Sequence, residues 1–297
     1  MKKTIFCIIL VVSCINIPSF AACPSADLTG DCRVDFKDFV KMAEQWLTDG
    51  IPTPVLYGMT WVSISDSGEG MKDEDGYLIY QGGFTGEMSK YETTNAQYCE
   101  YLNTALASND ITVSGNYVVG TSGYYSGQNY YNLAGSGYTY DGATNGGSAR
   151  IHWTGGSFTV DSGFENHPVT YVSWYGSTAF ASYYGWRLPT EWEWQAVADY
   201  DGSFTYGCGT TINNSIANYY NSVHPNGTTA VGAFGTYGYG ICDIAGNVSE
   251  WTSTVSGSYC VLRGGYWCSG DYSCTVSGRF NYISYGMYYI NGFRVCR

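Results

Sequence analysis

Charge is scarce in this sequence. Asp, Glu, Lys and Arg together make up 13% of it, about half the usual share, and proline is down to 7 of 297 residues. The charge that is present leans one way, 25 acidic against 13 basic groups for a net −12, so a phosphate-binding surface has little to work with and nucleic acid is excluded as a partner. Neither a Gly-x-Ser-x-Gly elbow nor a Lys-bearing phosphate loop is present, which removes the sequence grounds for hydrolase or nucleotide chemistry. Beyond the first twenty residues no apolar run is long enough to span a bilayer, so no transmembrane segment is expected. The mix also lacks the Ala, Leu, Glu and Lys bias of a helix bundle.

What is abundant is aromatic and flexible. Tyr numbers 30, Trp 9 and Gly 39, and hydrophobic residues reach 44%, enough for a sizeable core. This composition favours an α+β domain of short strands, few helices and long ordered loops. Residues 1–21 read as a signal peptide: Lys2 and Lys3, an apolar run from Ile5 to Val12, then the small-x-small site Ser19-Phe20-Ala21. The protein is therefore expected to be secreted or at the cell surface; a lipoprotein through Ala21-Ala22-Cys23 is the less favoured alternative. Eleven cysteines occur, with Cys7 and Cys14 in the leader. The others, Cys23, Cys32, Cys99, Cys208, Cys242, Cys260, Cys268, Cys274 and Cys296, predict several disulfides and one leftover thiol in an exported chain.

Residues 22–48 form a small module of their own. Asp27, Thr29, Asp31, Asp35 and Asp38 stand at positions 1, 3, 5, 9 and 12 of a loop, with the Arg33 carbonyl at position 7, the spacing a 12-residue loop needs to wrap Ca2+. Phe39, Met42, Ala43, Trp46 and Leu47 then share one helical face. The other reading is an acidic turn before a helix. The stretch resembles one half of a dockerin repeat, although Cys32 stands where the turn glycine belongs and one loop is found rather than two. The resemblance implies a docking partner for this module. Residues 49–56 are a linker with Pro52 and Pro54.

Residues 57–297 carry the main domain. Trp61 to Ile64 alternates as a strand, Tyr117 to Val119 and Ile151 to Trp153 read as hairpin strands, and a helix is expected after a cap at Thr93, Thr94 or Asn95. A second helix runs from about Tyr175 to Tyr184 and stops at Gly185; a third starts after Thr190 with Glu191 and Glu193 in its first turn. Six motifs follow in order: Thr94-Asn95 with Gln97-Tyr98; His167-Pro168-Val169 with Val172-Ser173-Trp174; Arg187 through Glu191 with Glu193-Trp194; Gly246-Asn247 with Glu250-Trp251; Arg263-Gly264-Gly265; and Gly292-Phe293-Arg294. In this order the chain resembles the formylglycine-generating enzyme, or sulfatase-modifying factor, family. That resemblance implies a C-type-lectin-like fold with little regular structure.

It also implies a chemistry. In the oxidising members two cysteines after Arg-Gly-Gly bind copper as Cu(I), and O2 then converts a cysteine of a sulfatase-like peptide to formylglycine; soft thiolates suit soft Cu(I). The corresponding residues are Cys268 and Cys274, separated by five residues in place of four, with Tyr266 where the family has Ser and Ser249 where it has Trp. The competing expectation for Cys268 and Cys274 is a disulfide, with each other or with Cys260 or Cys296. Asp243, Gly246, Val248 and Glu250 match the family's structural calcium site, against the alternative of a capped turn. Asn218 and Tyr219 match part of a second such site. The His-x-x-x-His pair of the family's iron-dependent relatives is missing; the histidines, His152, His167 and His224, are scattered.

A second reading concerns binding. Tyr266, Trp267, Tyr272, Tyr282, Tyr285, Tyr288 and Tyr289 alternate with Ser, Gly and Asn, the composition of adaptable paratopes. The stretch resembles the hypervariable C-terminal region of lectin-fold receptors diversified by retroelements. The expected ligand is an unidentified protein or carbohydrate; the alternative is that these aromatics pack a loop-rich core.

Overall fold

The computed structural model describes residues 58–297 apart from residues 74, 80, 137–146 and 221–226. The chain divides into two compact units, Met1–Thr53 and Pro54–Arg297. The leader, the linker at 49–56, His224 and the calcium loop with Asp27, Thr29, Asp31, Arg33, Asp35 and Asp38 lie outside the described residues.

The second unit has short strands, three helices and long loops among its described residues. β1 (Trp61–Ser65) pairs antiparallel with β2 (Thr85–Ser89). α1 (Asn95–Ala107) starts at Thr94, whose hydroxyl accepts from the Gln97 N–H while the Gln97 side chain accepts from the Thr94 N–H. This reciprocal cap selects Thr94 from the three expected starts. β3 (Ile111–Ser114), β4 (Tyr117–Gly120) and β5 (Asn129–Asn132) make an antiparallel sheet. β6 (Ile151–Trp153) and β7 (Phe158–Val160) form a hairpin.

α2 (Trp174–Tyr183) is capped by Ser173, and Gly185 after it takes the left-handed φ of 73° that the sequence assigned to a helix stop. α3 (Glu191–Asp199) has Thr190 as its cap with Glu193 reaching back to the Thr190 N–H at 2.8 Å. Glu193 also takes a two-pronged ion pair from Arg187, at 2.6 and 2.8 Å.

β8 (Ser249–Ser256), β9 (Tyr259–Arg263), β10 (Arg279–Ile283) and β11 (Asn291–Gly292) form the largest sheet, in the order β10-β9-β8-β11, with β11 parallel to β8. That parallel pairing delivers the last residues to the beginning of the domain. Glu87 and Arg297 exchange backbone hydrogen bonds at 3.0 and 2.9 Å, and the Ser89 N–H donates to the Val295 carbonyl at 2.8 Å. The main core lies around Tyr98, Phe180 and Phe293, whose rings pack within 5.2 to 6.1 Å of one another, and extends to Trp251, Val172 and Leu102. A second core gathers Met71, Met88, Trp194 and Ile244.

Candidate functional site

Two loops leave the large sheet on the side of β10. The first, residues 264–278, joins β9 to β10; the second, residues 284–290, joins β10 to β11. The second is pinned by backbone bonds at both ends: the Trp174 N–H donates to the Ser284 carbonyl and the Tyr171 N–H to the Tyr288 carbonyl, each at 3.0 Å, and the Ser249 N–H donates to the Ile290 carbonyl at 2.8 Å. Ser284 adds a side-chain bond to the Tyr175 hydroxyl at 2.9 Å. A loop held this way presents its side chains without a large ordering cost.

The expected aromatic set is divided by these loops. Tyr285 and Tyr288 are exposed, at 60% and 40%. Tyr282 packs edge-on against Tyr288 with centroids 5.1 Å apart. Burial, then the hydrogen bond with Tyr288, pushes the Tyr282 hydroxyl up to about 12. Tyr272 is exposed on the short 3-10 turn Asp271–Cys274, and Tyr266 is half-buried. Trp267 corrects the expectation of a binding residue: it is fully buried, 5.9 Å from the ring of Tyr289, and its backbone N–H donates to the Asn247 carbonyl. Just before it in the chain, Gly264 and Gly265 take left-handed φ values of 94° and 73°. Tyr289 is half-buried beside it.

Tyr285 and Tyr288 stand on one wall of an open cleft of about 400 Å3. Tyr117 of β4 and Asn129 and Asn132 of β5 form the facing wall. None of these three belongs to the C-terminal stretch, and nothing in their local sequence marks them; only the pairing of β5 against residues 171–173 brings them there.

The cysteines differ from expectation. The seven described ones, Cys99, Cys208, Cys242, Cys260, Cys268, Cys274 and Cys296, are free thiols, and the bridge considered between Cys268 and Cys274 is not formed. Cys274 shares a small apolar cluster with Cys208, Ala217 and Ala245, to which Cys268 does not belong. Its sulfur lies 3.7 Å from the Ser269 hydroxyl and 3.8 Å from the Gly270 carbonyl. Burial pushes the Cys274 thiol up to about 12 and the Cys268 thiol up to about 11. Copper ligation needs thiolates, so a metal entering here would displace a proton from each thiol. Cys274 belongs to the apolar cluster with Cys208 and Cys268 lies outside it, so the two thiols do not share one cluster.

The carboxylates expected to hold calcium are also engaged. Glu250 receives Arg294 Nε and Nη2, each at 2.7 Å, and the Trp194 indole N–H at 2.7 Å. Asp243 accepts from the Gly232 N–H at 2.5 Å. Val248 donates its N–H to Glu92 at 3.2 Å, and Gly246 donates to the Gly264 carbonyl at 2.8 Å. Among the described residues no group of three or more His, Cys, Asp or Glu side chains gathers as a metal cluster. Arg294 therefore supplies positive charge here and occupies the Glu250 carboxylate. It leaves excess negative charge: burial, then Asp243 and Glu250, raises the Glu92 carboxyl well above its usual range, and burial pushes Asp243 up to about 6. Of the histidines, His167 bonds Thr228 and His152 bonds Asp161. Asn218 bonds Gly227 and Asn247 through its side-chain nitrogen.

An α+β, loop-rich scaffold whose chain end closes on its first hairpin, with an aromatic face on its final loops, is a domain of the C-type-lectin-like class. The chain belongs to the family of sulfatase-modifying factor enzyme 1-like domains, which it matches over residues 83–297. It is 36% identical over 157 residues to the serine/threonine-protein kinase pkn1 of Chlamydia caviae, covering 45% of this chain and 25% of that protein. It is 33% identical over 125 residues to the formylglycine-generating enzyme of Thermomonospora curvata, covering 38% and 37%. The chain thus spans about a quarter to a third of the length of these relatives. Among solved structures, CarF superposes with a TM-score of 0.57 at 20% identity, covering 82% of this chain and 99% of that one.

Proposed function

We propose that this sulfatase-modifying-factor domain works as a ligand-binding module and that its working surface is the cleft bordered by Tyr285 and Tyr288. The observation that carries the reading is the pairing of two exposed tyrosines on a pinned loop with an open cleft, while Cys274 is sealed among apolar side chains. Rigid aromatic area with small polar spacers suits recognition. The leader at residues 1–21 supports export to the cell surface or medium. The loop at residues 27–38 supports calcium-dependent docking of the module to a partner. The hypervariable version of the reading is supported by the position of the tyrosines between fixed ends, Arg263 and Gly292, which lie in sheet positions.

The alternative reading, copper- and O2-dependent oxidation of a peptidyl cysteine, is supported by the family and by the positions of Cys268 and Cys274. The test is incubation with Cu(I), O2 and a Cys-x-Pro-x-Arg peptide, with aldehyde read by mass spectrometry. No aldehyde is expected. Aldehyde formed by the wild type and lost in Cys274→Ser would overturn the binding-module reading.

A further inference from the structure

We infer that the cleft binds a neutral oligosaccharide, an assignment that rests on the binding-module reading and names its ligand class. Its two walls come from distant parts of the chain. Tyr117 rises from β4 at 37% exposure, with Asn129 and Asn132 beside it on β5; across from them stand Tyr285, Met287 and Tyr288.

Three features of this lining select the ligand. First, it contains no Asp, Glu, Lys or Arg, in a chain of net charge −12. A phosphate, a carboxylate or an ammonium group entering it meets no counter-charge and loses its hydration without compensation. Second, the lining is mixed, with Ile283 and Met287 standing among polar groups. Two asparagines and the hydroxyls of Tyr117 and Tyr285 supply donors and acceptors, and a purely aliphatic ligand would strip water from them and leave them unpaired. Third, the backbone edge of β5 is already used: the Asn132 N–H donates to the Tyr171 carbonyl at 3.1 Å and the Ser173 N–H to the Tyr130 carbonyl at 3.0 Å. A peptide laid along this wall cannot add itself as a strand there.

A neutral sugar chain satisfies all three conditions. Each ring presents a C–H face that lies on a tyrosine ring, and a rim of hydroxyls that exchange hydrogen bonds with side-chain amides and phenols. Tyrosine serves both purposes at a small rotamer cost. The cleft is open, as a chain passing across it requires, and its volume of about 400 Å3 falls in the range of small-ligand sites. The β5 side is fixed before binding: the Ser173 hydroxyl donates to the Asn129 carbonyl at 2.6 Å, and the Asn132 side-chain oxygen accepts from the Ala134 N–H at 3.0 Å, leaving its amide nitrogen to donate.

The experiment is calorimetric titration of the full-length exported protein with cellohexaose, xylohexaose, mannohexaose and chitohexaose. A Tyr/Ser-rich peptide and inorganic phosphate are run beside them. At least one oligosaccharide is expected to bind saturably, with affinity little changed by added salt because no charge is involved. Tyr285→Ala, Tyr117→Ala and Asn129→Ala should each weaken it about tenfold, a loss of about 1.4 kcal/mol. Tyr77→Ala, at an exposed tyrosine outside the cleft, should leave it unchanged. Loss of binding without loss of the thermal transition shows that the variants remain folded. Failure of all four sugars to bind the wild type overturns the assignment, and so does sugar binding indifferent to all three cleft variants. Peptide binding that is lost in Tyr285→Ala while the sugars fail sinks the carbohydrate class and spares the binding module. Aldehyde formation in the copper assay sinks both.

Discussion

Arg294 is a large polar side chain with no contact with water, and its burial defines what a single residue does in this domain. It holds Glu250 with two nitrogens and reaches the carbonyls of Ser89, Lys90 and Cys242 at 2.9 to 3.3 Å. Three chain segments meet on one guanidinium. Replacing it by methionine leaves Glu250, Glu92 and Asp243 without their compensating charge, and breaking a buried pair from one side costs about 3–5 kcal/mol. Arg294→Met is therefore expected to lower the urea midpoint strongly. Glu250→Gln should cost less than Arg294→Met, because it removes one of the three carboxylates that Arg294 offsets rather than their common partner. Asp199 gives a second expectation at this scale. Burial first, then the Asp66 charge, raises its carboxyl from 3.8 to about 7, against the Gly202 N–H and Arg263. The folded form holds a proton that the unfolded chain has released, so stability falls as pH rises through the window from 3.8 to about 7. Asp199→Asn keeps the shape and removes the titration. Its melting temperature relative to wild type should rise between pH 4 and pH 7.5; a difference that stays constant across that window would contradict the assignment.

At the scale of elements, α2 and β5 approach each other more closely than side chains ordinarily permit, and Gly176 makes this possible. A Cβ there would collide with the Tyr130 carbonyl and lie 2.6 Å from the Tyr98 hydroxyl. In an exposed helix Gly→Ala gains about 1 kcal/mol. Here the obstacle is backbone, which cannot rotate away, and overpacking costs about 1–3 kcal/mol or more. The loss wins: Gly176→Ala should lower the melting temperature and, because β5 carries Asn129 and Asn132, should also disturb the cleft. Elements of this kind show what the sequence made legible. Thr190, and Thr94 among three candidates, announce helix starts because a cap acts on the next three residues, whereas Ser173 was not marked as a cap. Tyr285 and Tyr288 were marked by their composition. Tyr117, Asn129 and Asn132 were not, because their value comes from a wall more than 150 residues away, and no local rule reaches that far. Trp267 was misplaced for the complementary reason: an aromatic in a loop rich in Gly, Ser and Tyr reads the same whether the chain points it outward or inward. The expected calcium ligands were adjacent in sequence, but Arg294, which takes the Glu250 carboxylate, enters from the far end of the chain.

At the scale of the whole molecule, the domain is closed by its last residues. Phe293 belongs to the aromatic core and its carbonyl accepts from the Thr93 N–H; Arg294 binds Glu250; Val295 and Arg297 bond Ser89 and Glu87; and Cys296 exchanges backbone bonds with Arg187 at 3.0 and 2.9 Å. Five consecutive residues thus tie β2, the approach to α1, the turn before α3 and β8 to one another. These contacts are nearly all long-range, so they form late and cooperatively, and folding should be slow relative to a helical domain of equal size. Removing residues 293–297 deletes one buried phenylalanine, worth about 3–5 kcal/mol by itself. It also deletes the only described cation that pairs with Glu250. Together these losses, about 6–10 kcal/mol, are as large as the stability of many domains, about 5–15 kcal/mol. The truncated chain is expected to lose its cooperative thermal transition, with near-ultraviolet circular dichroism collapsing as Trp194 and Trp251 lose their fixed surroundings. In the intact protein the amides of Ser89, Thr93, Val295, Cys296 and Arg297 should exchange with solvent only through global unfolding, at one common free energy. The amides of residues 284–290, a loop that contributes carbonyls rather than N–H groups to its three pinning bonds, should exchange faster. Early, separate exchange of the C-terminal amides would show that the closure is peripheral and that the two final loops stand on β8, β9 and β10 without it.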